Sequence, residues 1–565
     1  MRLAPIFGLL RIHRSASIAA SGQSAMLRLT PTMKKFLVSP VIVTLVAAAV
    51  LATMMGRARA GTMEEALANG EAAGEALARC DRFVRGWLAH ADPETGLIPR
   101  NLRDSPYWNG RDSAADNWPF MVLTTYFTDE ALFNGRMKEM LATEQRLTSR
   151  IGHLPDDYDF KKRGWRREKL QPLEIMFDAA EYMKDGLIPI TELLGQSPWS
   201  DRMIGILDDM WKNATVETPF GMITSDNIEV QGDQLQTLAR CWWLTGNERY
   251  RELAFRMADY FLLGTHHPTR DMHQLRLRDH GCEVIFGLCE VYAIAHFTAP
   301  EKKTAYRKPL YQMIDRVLEV GRNEHGLFFD NIDPITGKPL TTRLADTWGY
   351  TLNGIYTVWL LDHHQPYREA CIKPLKFLAA HYRNYPWEGQ SQDGYADSIE
   401  SAIDLYNVEP VADAAAWIES EIRVMWAKQQ PDGVIEGWHG DGNFARTSLM
   451  YALWKSQGAC VRPWRNDVIC GAVRDGDAVV FALRAQTPWQ GRLVFDRPRH
   501  RELLHLPLNY PRINQFPEWF TVEKNATYQV TRGTKTATIT GAALRDGITM
   551  DLVAGESVSM RIQKK

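Results

Sequence analysis

The sequence predicts a mainly α protein: an (α/α)6 toroid, with seven hairpins as the alternative count, followed by a small C-terminal β-sandwich. Three observations predict it. First, a Gly-hydrophobic pair repeatedly opens a polar loop that leads into an apolar helix. Gly96-Leu97-Ile98 leads to Asp116-Asn117-Trp118, Gly221-Met222-Ile223 to Asp233-Gln234, Gly326-Leu327-Phe328 to Asp346-Thr347-Trp348, and Gly433-Val434-Ile435 to His439-Gly440-Asp441. Second, helices of two kinds alternate, one amphipathic and one apolar nearly all round. Third, after Gly458 the apolar period changes from that of a helix to that of a strand.

Residues 1–60 read as an N-terminal extension and signal peptide. Met33-Lys34-Lys35, the apolar stretch from Phe36 to Met55 and then Ala58-Arg59-Ala60 follow the order of n-region, h-region and A-x-A site. This predicts export, periplasmic or secreted, with cleavage after Ala60. The apolar stretch also approaches the roughly 20 residues that span a bilayer, so membrane anchoring through residues 36–55, with the body outside the cytoplasm, is the alternative.

Residues 61–458 read as the toroid. Glu248 to Leu263 and Val411 to Lys428 carry apolar residues at i, i+3 and i+4 among charges, as a helix with one wet face does. Cys282 to Phe297, Tyr350 to Leu361 and Leu449 to Trp454 have no polar face and must be covered on all sides. An inner ring of helices enclosed by an outer ring satisfies both kinds. Inner helices are expected to start near Trp118, Pro172, Gln234, Cys282, Tyr350, Asp397 and Asn443. Long loops lead into them and short loops lead out, so one rim carries the function.

Residues 459–565 read as the β-sandwich. Val468 to Val473 and Ala478 to Arg484 flank Asp475-Gly476-Asp477, a hairpin signal, and later runs at Thr536 to Thr540 and Val558 to Ile562 alternate.

Composition excludes more than it selects. A net charge of −2 gives no basic excess, so no nucleic-acid partner is expected. The seven cysteines form no C-x-x-C pair, and no zinc or iron-sulfur spacing exists. Cys460 and Cys470 are near enough in sequence to bridge in an oxidising compartment. No G-x-S-x-G turn, Walker loop or dinucleotide loop is present. No metal and no cofactor is predicted.

Acids at the mouths of the inner helices are the candidates for chemistry. Cleaving a glycosidic bond needs a proton donor for the leaving oxygen and a second carboxylate across the cavity. Asp346 and Asp397 are the favoured pair, with Asp116, Asp233 and Asp441 as contenders. An Asp before a helix is also a favoured N-cap, so capping is the competing role of each. Around them, Trp108, Asn117, Trp118, Asp226, His280, Glu283, Trp348, Tyr350, Asp393, Trp438, His439 and Arg446 are candidate substrate contacts, the indoles as stacking surfaces for sugar rings. For each Trp, plugging the toroid core is the rival role. Arg-rich stretches at 161–167 and 270–280 suggest an anionic, uronate-containing glycan.

These Gly turns, aromatic-acid loops and β-rich tail resemble the six-hairpin glycosidase and (α/α)6 toroid superfamily over roughly residues 62–458, by architecture and without a family motif. The resemblance implies an oligosaccharide or polysaccharide substrate. Glycoside hydrolysis is the favoured activity. A lyase on the same toroid, using His280, Tyr350, His439, Asn443 or Arg446, and a non-catalytic glycan-binding protein are the alternatives.

Overall fold

The computed structural model describes residues 61–104, 106–279 and 281–565. The expected signal peptide or anchor and the candidate His280 lie outside the described residues.

The helical region runs as hairpins, each an outer helix followed by an inner one. The pairs are α1 (Met63–Ala89) with α2 (Trp118–Thr128), α3 (Lys138–Thr148) with α4 (Pro172–Glu181), α5 (Pro198–Lys212) with α6 (Ile228–Thr245), and α7 (Glu248–Ala258) with α8 (Gly281–Thr298). They continue as α9 (Pro300–Val320) with α10 (Trp348–Asp362), α11 (Gln365–Leu375) with α12 (Gln392–Val408), and α13 (Ala412–Trp426) with α14 (Asn443–Lys455). Each even-numbered helix from α4 onward touches the next, α2 and α4 meet through the π-helical stretches Gly110–Asn117 and Tyr182–Leu187, and α14 returns to α2, so the ring closes with seven hairpins among the described residues. Helix α8 is long and apolar enough to cross a membrane, but 83% of that stretch is buried in the protein, where an inner helix has no wet face.

Local signals set the helix starts. Thr62 forms a capping box with Glu65 on α1, Asn227 caps α6, and Ser391 caps α12 one turn earlier than the sequence reading placed it. The four turn glycines adopt positive φ: 73° at Gly96, 111° at Gly221, 94° at Gly326 and 95° at Gly433. Each presses its backbone on the next outer helix. A Cβ on Gly96 would meet Arg136 just ahead of α3, on Gly221 Arg256 of α7, on Gly326 Lys373 of α11, and on Gly433 Arg82 of α1. The last of these joins the seventh hairpin to the first.

The C-terminal region holds two antiparallel sheets over one core. Strands β1 (Cys460–Arg462), β4 (Trp489–Val494) and β7 (Ile548–Leu552) form one in the order β7-β4-β1. Strands β2 (Val468–Asp475), β3 (Ala478–Ala485), β5 (Thr527–Arg532), β6 (Lys535–Thr540) and β8 (Ser557–Lys564) form the other in the order β2-β3-β8-β5-β6. Phe481, Leu493, Val522, Leu552 and Ile562 fill the space between them. Cys460 and Cys470 are free thiols on strands of different sheets, which corrects the suggested bridge.

The two regions are tightly joined. Gly70 of α1 lies so close to Gly471 of β2 that a Cβ on Gly471 would stand 2.1 Å from the Gly70 nitrogen. The chain between β4 and β5 enters the ring from the C-terminal ends of the inner helices. Arg512 makes two 3.0 Å bonds to Glu192, which also accepts from Arg240 at 2.6 Å. Tyr510 bonds Glu290 at 3.2 Å, and Gln515 bonds Asp404 at 3.4 Å.

Candidate active site

A cavity of about 410 Å³ opens where the N-terminal ends of the inner helices converge. Every hairpin contributes to its lining. Asp112 and Asp116 come from the π-helical stretch Gly110–Asn117 ahead of α2, while Glu181, Lys184 and Asp185 come from the end of α4 and the π-helical turns after it. Glu229 comes from α6, Asp279 and Glu283 from the start of α8, and Tyr350 from α10. Asp393 and Asp397 come from α12, and Asn443 and Arg446 from α14, with Trp438, His439 and Asp441 on the loop before it. A π-helical turn displaces side chains from the ordinary helical spacing and is frequent at functional sites; here two such turns present charged groups to the cavity.

Buried charge pairs organise the floor. Arg446 reaches Asp397 Oδ1 at 2.5 Å and Glu400 Oε2 at 2.8 Å. Tyr350 donates its hydroxyl to Glu400 at 2.8 Å. Across the cavity, Lys184 is paired with Glu283 and lies 2.7 Å from Asp185. Asn514, from the C-terminal region, links the two sides. Its Oδ1 accepts from Arg446 Nη1 at 3.2 Å, its Nδ2 donates to Asp185 Oδ1 at 2.9 Å, and its backbone N–H donates to Glu400 Oε1 at 3.1 Å.

The two carboxyls near Asn514 are driven in opposite directions. Burial pushes the Asp397 carboxyl up to about 7; Arg446 opposes the rise, but its single positive charge is shared with Glu400. Burial would also raise Asp185, yet Lys184 and the hydrogen bond from Asn514 outweigh it and hold that carboxyl below its ordinary value.

On another wall, His439 Nε2 stands 3.6 Å from Asp112 Oδ1 and 3.6 Å from Asp116 Oδ2. Burial raises the pKa of Asp116 well above the usual carboxylate range, and burial raises Asp393 and Asp441 too. Asn443 donates to Asp393 at 2.9 Å, and its own backbone N–H bonds Asp441 at 3.0 Å.

Asp116, Asp397, Asp441, Glu283, Tyr350, Asp393, Trp438, His439 and Arg446 all line this cavity. Asp346 and Asp233 do not. Asp346 is buried near Asp397, where it accepts the N–H of Thr347, and Asp233 is buried against Glu283 in the second turn of α6. Trp108, Trp118 and Trp348 have no exposed surface and offer no face to a sugar; Trp108 meets Trp118 edge-on at 5.9 Å. They are core plugs, which corrects the stacking role. Asn117 is likewise buried, and Asp226 is an exposed residue away from the cavity. Trp438, 81% exposed at the rim, is the one of the four candidate indoles that keeps an exposed surface. Sequence reasoning missed Asp112, Lys184, Asp185 and Asn514. The first three lie within π-helical stretches rather than just before a helix, and Asn514 belongs to the other region.

The arginines of the Arg-rich stretches do not line the cavity. Arg163 pairs with Asp92, Arg166 with Asp157, Arg276 with Asp279, and Arg278 with Glu388. Eleven carboxyls line the cavity against the cations Arg111, Lys184 and Arg446, and each of those three is already ion-paired.

No protein-family model and no curated protein matches the chain. Among solved structures, the GH76A α-1,6-mannanase from Salegentibacter sp. HEL1_6 is similar at 14% identity over 55% of this chain and 95% of its own, with a TM-score of 0.39. A glycoside hydrolase family 105 protein of C. acetobutylicum ATCC 824 is similar at 13% identity over 49% of this chain and 93% of its own, with a TM-score of 0.35. A GH127 β-arabinofuranosidase is similar at 11% identity over 90% of this chain and 79% of its own, with a TM-score of 0.36. The helices themselves form an (α/α) toroid, built here from seven hairpins, with a small C-terminal β region.

Proposed function

We propose that the protein is a glycoside hydrolase in which Asp397 is the general acid and Asp185 the carboxylate that acts as base or nucleophile. The observation that carries this reading is the opposed pair of carboxyls in one cavity. Asp397 is raised to about 7 by burial, and Asp185 is held ionised by Lys184 and Asn514. Environments that push two carboxyl pKa values apart assign acid and base roles, and a glycosidase needs one of each. This pair replaces Asp346 with Asp185, because Asp346 has no access to the cavity.

The lining also bears on the substrate. A uronate entering here meets many carboxyls and would have to displace a partner from Arg111, Lys184 or Arg446, so an uncharged glycan suits the cavity better. Trp438 at the rim provides an apolar face for a sugar ring.

One arrangement favours elimination as a second reading. Tyr350 and Arg446 meet at Glu400, with His439 and Asn443 on the same lining, residue types that proton abstraction beside a uronate employs. Against it, burial raises the Tyr350 hydroxyl pKa well above its ordinary value, which disfavours a base role.

Mass analysis of products from neutral and uronic oligosaccharides tests both. Fragments that gain water support hydrolysis, and Asp397→Asn and Asp185→Asn should then each lower kcat by about 10²- to 10⁴-fold with substrate binding retained. Unsaturated uronate ends would replace this reading with elimination. Saturable binding without any product would leave only glycan binding.

A further inference from the structure

Asp112, Asp116 and His439 meet on one wall in a geometry that neither the helical fold nor the acid pair requires. At 3.6 Å from each carboxylate oxygen, His439 Nε2 is beyond ordinary hydrogen-bond distance of both. Two ligand atoms bound at about 2.1 Å to one tetrahedral metal ion are separated by about 3.4 Å. One donor atom from each of the three side chains lies within 4.8 Å of the other two.

The surroundings orient these atoms. His439 Nδ1 lies 2.9 Å from the carbonyl oxygen of Gly440, which in the neutral ring places the proton on Nδ1 and turns the Nε2 lone pair toward the carboxylates. Asp112 Oδ2 accepts from Arg100 and from Asn109, each at 2.5 Å, while Oδ1 turns toward His439. Neighbouring Asp441 is 1% exposed, and its Oδ2 has no hydrogen-bond partner among the described residues. Its charge acts on both Asp116 and His439.

We propose that Asp112, Asp116 and His439 form a divalent-cation site opening onto the cavity, with Asp441 available as a further carboxylate ligand. An imidazole with carboxylates suits a borderline first-row ion such as Mn²⁺ or Zn²⁺, whereas Ca²⁺ and Mg²⁺ favour all-oxygen shells. Asp116 and His439 both line the cavity, so the remaining coordination positions face its contents, where adjacent hydroxyls of a sugar are suitable ligands. The proposal is independent of the acid and base assigned above.

The test is metal binding to the purified full chain after chelator treatment and dialysis, by titration calorimetry with MnCl₂, ZnCl₂ and CaCl₂ separately. One equivalent of Mn²⁺ or Zn²⁺ per chain is expected, with Ca²⁺ at least tenfold weaker. His439→Ala and Asp116→Ala should each weaken binding at least tenfold. Pulsed electron paramagnetic resonance of bound Mn²⁺ in the unmutated protein covers variants that fail to fold, and coupling to an imidazole nitrogen is expected. No stoichiometric Mn²⁺ or Zn²⁺ binding, undiminished binding by a folded His439→Ala chain, or bound Mn²⁺ without nitrogen coupling would each overturn the site. In those cases His439 is a charge partner of the two aspartates and nothing more.

Discussion

At Gly433 a Cβ would stand 2.2 Å from the carbonyl oxygen of Arg82, and φ there is 95°. Backbone strain and collision act together, so Gly433→Ala should cost roughly 1–3 kcal/mol, seen as a lower denaturant midpoint with the slope unchanged. Gly476→Ala, with φ 60° and open space around it, is the control that carries strain alone. The four turn glycines were legible because left-handed backbone falls to glycine and the residues after it are apolar. The aspartates were legible as residues near helix mouths, but not by role. Capping falls instead to Asn109, Asn227 and Ser391 at the elements that bear Asp116, Asp233 and Asp397. The indoles misled because an aromatic at a helix start serves a core and a binding surface equally well in sequence.

Among elements, the alternation of wet and dry helices carried most of the fold. Periodicity separates α7 and α13 from α8 and α10, because an inner helix has no solvated face to mark. Periodicity is blind to the segment between β4 and β5, which has no repeat and gains its place only from partners in the ring. That segment is an energetic element of the toroid. Arg240, Glu192 and Arg512 form a buried charge triad, with Glu192 2% exposed. Removing one member of such a group costs about 3–5 kcal/mol, and Arg512→Met should lower stability by that order in denaturant melts. Burial would raise the Glu192 pKa, but Arg512 and Arg240 hold it below the ordinary value. Its contribution is therefore present above the unfolded pKa and lost as pH falls through the lower folded one, so the penalty of Arg512→Met should shrink in strong acid.

For the whole molecule, pH divides activity from stability. With Asp397 as the proposed general acid, which must carry its proton, the rate should fall about tenfold per pH unit above its value of about 7. With Asp185 as the proposed base, the base limb should lie in acid, because that carboxyl stays ionised at lower pH than usual. The stability term of Asp397 has the opposite origin from that of Glu192. Its folded pKa lies above the unfolded one, so between about 4 and 7 the native state binds the extra proton and stability declines as pH rises. Asp397→Asn should remove both effects, flattening the alkaline limb in any residual rate and the decline in melting temperature, and parallel pH series of kcat and Tm check this. The site was partly legible at this scale. Convergence of inner helix starts could be read from loop lengths, whereas the link through Asn514 joins residues 330 apart to Lys184 and leaves no local trace.

The contact of the seventh hairpin with the first also fixes when the molecule can exist. Arg79 of α1 donates to the carbonyl of Trp426, 347 residues later. At 5–20 residues per second, translation takes on the order of 20–70 s to supply that partner. Throughout that interval the growing chain is an open arc whose first helix lacks its final neighbour, and Asn514 is made later still. A ribosome-bound chain of this sequence is thus held short of its native state until Asn514 has been made, which keeps it available for any step that requires an unfolded polypeptide.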